Sequence, residues 1–382
     1  MKITRITAIP LSYKLPEGNT VTMGIGSTLK RDAIVVRVET SDGVTGYGEA
    51  HPGRSPGAIV SLIHKTLAPL LMGMDAHDVV GAWNRIHRMQ FSSHGLGAGA
   101  VLATSGIDMA LWDIRGKALG LPLYKLLGGS KRRIPAYAGG IALGFQPKES
   151  LGEEAQEYVS QGYRAVKLRI GDSAKADIER VVHVRKVLGD DIDILTDANT
   201  AYTIADVRRV MPVLAEIRAG WLEEPFACND FASYRAAAAI TPLVPIAAGE
   251  NHFGRFEFAQ LLEAGAVQVW QPDLSKSGGI TEAVRIAAIA SAWRIPLNAH
   301  SSATGLNHAA TLHFLTATEN AGYFEADVSK FNPMRDMFGR TFEIGPDGCV
   351  EPSDAPGIGI EVDESVFEQY PPIDGPGYVV KF

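Results

Sequence analysis

Ionisable residues recur at regular intervals through the second half of the sequence, each at the end of a short apolar run. Successive members lie about 23 to 30 residues apart, which is the length of one strand-loop-helix-loop unit. Such residues could meet at one end of a parallel sheet or barrel and there bind a metal ion and move protons. They are Lys167 with Arg169, Asp197, Glu223, Glu250, Asp273, His300 and Glu325.

Three of these residues are carboxylates on consecutive predicted strands, namely Asp197, Glu223 and Glu250. Three carboxylates that converge repel one another and do not all stay ionised without a cation. Carboxylate oxygens suit Mg²⁺ or Mn²⁺ better than Zn²⁺. The pattern therefore predicts a magnesium site, with manganese as a substitute. The alternative is that one carboxylate is protonated and no metal binds.

The next two members of the series, Asp273 and His300, form a candidate acid–base pair. A carboxylate bonded to one imidazole nitrogen fixes the tautomer and raises the basicity of the other nitrogen. In the segment AVKLRIGD, Lys167 and Arg169 lie two residues apart and so project to the same side of a strand. We expect these two cations to face the carboxylates and an anionic substrate.

The elements that position these residues follow from the apolar pattern. The first 60 residues alternate like strands, two helical segments follow, and from about residue 133 short strands alternate with amphipathic helices. This order predicts an α/β fold in which a (β/α)7–8 TIM-like barrel follows an α+β N-terminal capping domain. A doubly wound open sheet is the alternative. The predicted domains are residues 1–125, 126–345 and a Gly- and Pro-rich tail, 346–382, that returns to the capping domain.

The composition excludes several other classes of protein. A net charge of −7 gives no basic surface for nucleic acid, and the two cysteines fit neither a disulfide framework nor a Cys-rich metal site. No segment has the pattern of a signal peptide or a membrane span. We expect a cytoplasmic, soluble protein that binds a small molecule. No Gly-rich nucleotide-binding motif follows a predicted strand.

Taken together, these segments resemble the enolase superfamily and, within it, the mandelate racemase subgroup. The resemblance extends over essentially the whole chain, and it includes the segments TSGIDMALWDIRGKALGLPLYKLLGG, TDANTAY, WLEEPF, GEN, QPDLSKSGG, NAHSS and FEAD. It implies that Asp197, the first glutamate of the Glu223–Glu224 pair and Glu250 bind Mg²⁺. It also implies a homo-oligomer.

The resemblance further assigns roles around the acid–base pair. Asp273 and His300 correspond to the subgroup's catalytic dyad, and Glu325 to the acid that bonds the substrate carboxylate. The muconate-lactonising subgroup has a lysine at the position of Asp273, so that subgroup is disfavoured. Lys167 is expected to contact the reacting carboxylate.

One position departs from the family pattern. The family usually has a second lysine, a base for one face of the substrate, where this sequence has Arg169. A guanidinium stays protonated in proteins and is a poor proton acceptor. With His300 as the one competent base, we expect dehydration of a sugar acid, an aldonate or aldarate, to a 2-keto-3-deoxy acid. The alternatives are a racemase or epimerase, a lactone cycloisomerase, and a non-catalytic ligand-binding barrel.

Four further residues are candidates for substrate binding. Asn199 lies two residues after Asp197 and should face the same side. His252 follows the Glu250 segment, while His51 and Arg54 lie in a Gly-rich segment that resembles part of a lid over the site. Ordinary loop polarity is the alternative explanation for His51 and Arg54. The family also implies a mobile lid in the segment LPEGNTVTMGIGSTLKRD.

Overall fold

The structure is a computed structural model that describes residues 1–95, 97–240 and 243–380. Its N-terminal part is an antiparallel sheet covered by helices. The strands are β1 Ile3–Lys14, β2 Thr22–Met23, β3 Gly26–Thr28, β4 Lys30–Thr40 and β5 Thr45–Ala50. Strand β1 has both buried and exposed residues, whereas β4, between β1 and β5, is buried on both faces because each face packs against a separate apolar cluster.

Among the residues that the structure describes, six helices complete the N-terminal part, with π-helical turns at Ile63–Leu67 and His87–Phe91. The longest helix, α5, is buried along most of its length because strand β5 covers it on one side. A Cβ on Gly48 would lie 2.3 Å from the Gly106 carbonyl oxygen, so the strand and the helix approach closely only with glycine there. The helices are α1 Pro56–Leu62, α2 Ala68–Leu71, α3 Val79–Ile86, α4 Ser92–His94, α5 Ala98–Leu119 and α6 Leu123–Leu126.

Parallel strands alternate with helices in the second part of the chain, as the sequence predicts. The strands are β6 Ile134–Gly139, β7 Ala165–Arg169, β8 Asp193–Asp197, β9 Leu222–Glu223, β10 Ile246–Ala248, β11 Val267–Trp270 and β12 Phe324–Asp327. The helices are α7 Lys148–Ser160, α8 Ala174–Leu188, α9 Ile204–Glu216, α10 Phe231–Ala237, α11 Gly254–Ala264, α12 Gly279–Ala292, α13 Gly305–Ala317 and α14 Pro333–Asp336.

The parallel strands lie side by side in the order β11-β10-β9-β8-β7-β6-β12, so the last strand returns to the first. The predicted strand RIPLNAH is reduced to bridges from Leu297 to Trp270 and to Ala321, which fill the gap between β11 and β12. This arrangement confirms the predicted barrel with a capping domain and excludes an open sheet. The carboxyl ends of all these strands point to one face, where barrel enzymes place their chemistry.

The tail contacts both parts of the molecule. Strand β13, Cys349–Val350, pairs with β6, and a 3-10 helix follows at Glu364–Gln369. Strand β14, Tyr378–Val379, pairs with β3 next to the hairpin β2–β3, and the last two residues of the predicted tail lie outside the described residues. The predicted domain boundaries stay a prediction. None of the described helices is long and apolar enough to span a membrane.

Candidate active site

A cavity of about 190 Å³ lies at the carboxyl ends of the barrel strands, beneath the capping domain. The barrel contributes charged groups to its wall, including Arg169, Glu250 and His300. The capping domain contributes apolar and charged groups from β2–β4 and the segment after β5, and β14 contributes Tyr378. The cavity therefore combines residues from the two domains and from the tail.

The carboxylates on one side of the cavity are paired with cations. Asp197, at the end of β8, accepts a hydrogen bond from the Arg169 guanidinium, and Lys167 Nζ lies 3.6 Å from its Oδ2. Glu250 Oε1 lies 3.3 Å from Lys276 Nζ, and Glu250 Oε2 lies 2.8 Å from His300 Nε2. Although burial opposes it, these neighbours hold the pKa of Glu250 well below its usual range.

The two glutamates after Leu222 point to different places. Glu223 turns into the barrel interior, where Lys167 donates to its Oε1 at 3.0 Å and Gln271 donates to its Oε2 at 2.7 Å. Glu224 has a positive φ of 36° and lines the cavity, where Asn251 Nδ2 donates to both of its carboxylate oxygens. Glu223 is the predicted metal ligand, yet in this structure Glu224 is the glutamate that lines the cavity.

The donor set fits a divalent cation, although the ligands are not assembled. Among the described residues, no three His, Cys, Asp or Glu side chains converge as metal ligands. Burial, followed by the charges of Glu250 and Asp197, raises the pKa of Glu224 well above its usual range. Glu224 is thus crowded by two carboxylates, a condition that a divalent cation relieves, whereas Asp197 and Glu250 already contact protein cations.

The dyad is fully formed on the other side of the cavity. His300 Nδ1 lies 2.7 Å from Asp273 Oδ2. The other carboxylate oxygen, Oδ1, accepts hydrogen bonds from the Ser275 amide and hydroxyl, both at 2.7 Å, and from Asn307 Nδ2 at 3.1 Å. Although burial opposes it, the hydrogen bond from His300 lowers the pKa of Asp273 to about 2. The aspartate is therefore ionised and fixed, as an orienting partner must be.

Electrostatics around the imidazole favour its protonated form in this structure. Burial alone would lower the pKa of His300, but the adjacent Glu250 and then Glu325 raise it to about 10. Glu325 Oε1 accepts from the Gly140 amide and from Lys167, both at 3.0 Å, and its Oε2 lies 3.8 Å from His300 Nε2. The imidazole thus lies between the dyad aspartate and two further carboxylates.

The strand-end cations lie as AVKLRIGD predicts, side by side and opposite the carboxylates. Lys167 is fully buried and contacts Asp197, Glu223 and Glu325. Arg169 donates to Asp197, to the Gly140 carbonyl and, at 3.3 Å, to Asn199 Oδ1. Nearby carboxylates, led by Asp197, outweigh burial and raise the pKa of Arg169 above its usual range, so this residue keeps its proton.

The four predicted substrate-binding residues separate into two groups. Asn199, His51 and Arg54 all line the cavity, and the Arg54 guanidinium lies 5.0 Å from the centre of the Tyr378 ring. His252 does not line it. Its fully buried ring packs against the rings of Phe231, Tyr234 and Phe258, and burial lowers its pKa to about 4. The structure therefore places His252 in an aromatic cluster beside the site, and the expected contact with substrate has no geometric basis.

Sequence reasoning missed several cavity residues. Lys276 follows Asp273 by three residues and reaches back to Glu250, a contact that only the turn after β11 creates. Asn251 and Glu224 bond to each other across neighbouring strand ends. Tyr378 reaches the cavity because the tail pairs with β3. The signal for Lys276 and Glu224 was present, since both lie within segments already singled out, but their side-chain directions depend on irregular backbone beyond the strands.

Comparison with known proteins gives the family. Residues 6–128 match the model described as the mandelate racemase / muconate lactonizing enzyme N-terminal domain, and residues 150–366 match the enolase C-terminal domain-like model. The chain belongs to the mandelate racemase subgroup of the enolase superfamily.

Some relatives are named for reactions of sugar acids. The chain is 36% identical to the arabinonate dehydratase of Saccharolobus solfataricus, over 89% of this chain and 90% of that protein. It is 32% identical to the 3,6-anhydro-alpha-L-galactonate cycloisomerase of Streptomyces coelicolor, over 94% of this chain and 96% of that protein.

Solved structures agree in fold. A member of the enolase superfamily from Polaromonas sp. JS666 is 81% identical, with a TM-score of 0.97 and complete coverage of both chains. A racemase from Streptomyces coelicolor with bound magnesium is 29% identical, with a TM-score of 0.83 over 96% of this chain and 99% of that one.

Proposed function

We propose that the protein is a hydro-lyase that dehydrates a sugar acid to a 2-keto-3-deoxy acid. The single observation that carries the proposal is the dyad: His300 is oriented by Asp273, and its other ring nitrogen contacts Glu250 in the wall of the cavity. A protein that only binds its ligand has no need of an imidazole oriented in this way. The sugar-acid dehydratases among the relatives support the same reaction.

The proposed metal site contains Asp197, Glu250 and one carboxylate of the Glu223–Glu224 pair, with Mg²⁺ as the ion and Mn²⁺ as a substitute. When bound, the ion would withdraw negative charge from the substrate carboxylate and so acidify the adjacent C–H bond. Support comes from the crowded carboxylates and from the magnesium in a related structure.

The chain's own residues account for the remaining steps. The neutral His300 Nε2 removes the proton from C2, while Lys167 balances the negative charge that develops on the substrate carboxylate. The imidazolium then returns that proton to the hydroxyl leaving C3, which releases water and yields an enol that tautomerises to the ketone. Since Nε2 lies 2.8 Å from Glu250 here, this contact must open before His300 acts as a base.

Arg169 supports elimination over racemisation. A racemase exchanges protons on both faces of a planar intermediate, and the guanidinium of Arg169 does not take up a proton. A lactone cycloisomerase is the second candidate, because it also needs only one base for the first step and a cycloisomerase is among the relatives.

A screen of aldonates and aldarates with Mg²⁺ tests the proposal. We expect at least one sugar acid to give a 2-keto-3-deoxy acid, detected as its semicarbazone, and chelation with EDTA to stop the reaction. If substrates instead exchange their α-proton or open a ring without loss of water, the isomerase alternative is correct. No reaction with any acid would contradict both candidates.

A further inference from the structure

Two segments adjoin the dyad, and strand β5 of the capping domain contacts both. The segment after β11 carries Ser275, and the segment before α13 carries Thr304. Glu49, the penultimate residue of β5, accepts hydrogen bonds from the Thr304 hydroxyl and, at 2.9 Å, from the Thr304 amide. The His51 amide, two residues later, donates to the Ser275 carbonyl at 3.1 Å.

Both contacts continue directly to the catalytic pair. Ser275 donates twice to Asp273 Oδ1. Thr304 caps helix α13, and Asn307 in the first turn of that helix donates to the same oxygen at 3.1 Å. The carboxylate that orients His300 is therefore held by Ser275 and by Asn307, and the segments that carry these two residues are both hydrogen-bonded to β5 or to the residue after it.

Strand β5 is suited to act as a rigid support. It pairs along its length with β4 and packs flush against α5, with the close approach at Gly48 described above. Glu49 itself is fully buried, and a buried ionisable side chain destabilises the fold unless it is hydrogen-bonded or paired. Glu49 does not line the cavity, and no step of the proposed reaction uses it.

We propose that Glu49 is a positioning residue, which holds the dyad in catalytic geometry from the capping domain through its hydrogen bonds to Thr304. Glu49 touches neither substrate nor the reacting atoms. Its effect runs through the N-terminus of α13 to Asn307 and Asp273, and the backbone of His51 adds a parallel link to Ser275. The expected effect on kcat rests on the proposed function. The expected effect on the geometry of the dyad does not.

The chain supplies a matched control. Asp108, on α5, also joins the capping domain to the barrel, and it accepts from the amide and hydroxyl of Thr281 at 2.9 and 2.6 Å. It is buried like Glu49, and it too bonds a threonine near the start of a barrel helix. In the described part of the chain, no hydrogen bond joins Asp108 or Thr281 to Asp273, His300, Ser275 or Asn307.

The experiment compares E49A, E49Q and D108A in the full-length protein with Mg²⁺ present. A misplaced catalytic group costs up to about 100-fold in rate, so we expect E49A to lower kcat by about 10- to 100-fold with little change in KM. E49Q keeps an oxygen that accepts from Thr304 and should recover most of this loss. D108A should lower the melting temperature and leave kcat within about twofold.

A second measurement does not depend on turnover. With ¹⁵N-labelled histidine, the downfield Nδ1–H resonance of His300, assigned by its absence in H300N, reports the bond to Asp273. It should shift or broaden in E49A and stay unchanged in D108A. If the wild type dehydrates no sugar acid, the proposed function fails while this resonance still tests Glu49.

Two results would overturn the inference. One is that E49A and D108A have the same effect on kcat and on the resonance, which would make Glu49 an ordinary interface residue. The other is a normal resonance in E49A. If E49A does not fold, T304V removes the hydroxyl donor from the other side of the contact. The kcat and the His300 resonance of T304V are then compared with those of D108A in the same way.

Discussion

The two sides of the cavity differ in how their charged groups are held. On the dyad side, Asp273 has hydrogen-bond partners on both oxygens, and the imidazole already points across the cavity. On the carboxylate side, Asp197 and Glu250 are neutralised by Arg169, Lys276 and His300. The difference indicates that protein contacts alone prearrange the dyad. The carboxylates would have to exchange these protein cations for a metal ion to form the proposed site.

The largest effect should come from breaking the dyad side alone. H300N removes the proposed base, so turnover should fall by about 10²- to 10⁴-fold. The asparagine can still bond to Asp273, and the fold should persist. Because the substitution replaces none of the proposed metal ligands, Mg²⁺ should still raise the melting temperature of H300N. Unimpaired turnover would refute the assignment of the base.

A substitution on the carboxylate side should also abolish turnover, but it should remove the stabilisation by Mg²⁺ as well. D197N should lose both turnover and the stabilisation by Mg²⁺, which amounts to about 2.7 kcal/mol for the wild type at a concentration 100-fold above Kd. E223Q and E224Q, measured in parallel by thermal denaturation across a Mg²⁺ titration, separate the two glutamates. The variant of the true ligand should behave like D197N, and equal retention of Mg²⁺ binding by both would contradict the proposed site.

A smaller effect is expected from a substitution at Arg169, which tests whether the guanidinium prevents proton exchange on the second face of the substrate. R169K restores the lysine usual in the family, which can accept a proton when burial and nearby cations lower its pKa. We expect slow deuterium uptake at C2 on the second face of the substrate, followed by NMR in D₂O. Uptake no faster than in the wild type would contradict the explanation offered for this position.

The smallest effect concerns stability rather than chemistry. Burial raises the pKa of Asp108 to about 7, above its ordinary value of 3.8. A raised pKa means that the folded state holds the proton more tightly, so the free energy of unfolding should fall as pH rises from about 4 through about 7. The contribution is at most about 4 kcal/mol. Denaturant titrations at pH 5 and pH 8 should show a smaller decrease in D108N, and an equal decrease would contradict this origin.

The sequence was sufficient to predict the fold and which side chains lie next to each other at the end of one strand. The alternation of short apolar strands with amphipathic helices predicted the barrel. The i, i+2 rule placed Lys167 beside Arg169, because the geometry of a regular strand is fixed. It was insufficient where the backbone is irregular: the directions of Glu223 and Glu224 depend on the positive φ at Glu224. His252 illustrates the same limit, since nothing local reveals that three aromatic rings from other elements surround it.

Contacts between the domains were also out of reach. Glu49 lies in an alternating strand of ordinary appearance, and its partner Thr304 is 255 residues away. Only the docking of the capping domain on the barrel brings the two together. Tyr378 reaches the cavity for a similar reason, through the pairing of β14 with β3.

The most direct test of the account is a crystal structure of the protein soaked in Mn²⁺, with data collected at the manganese absorption edge. We predict one anomalous peak in the cavity, bound by Asp197, Glu250 and one glutamate of the Glu223–Glu224 pair, with His300 Nε2 released from Glu250 and facing the open coordination positions. A peak elsewhere, or an imidazole turned out of the cavity, would contradict the central claim that these carboxylates and this base form one catalytic site.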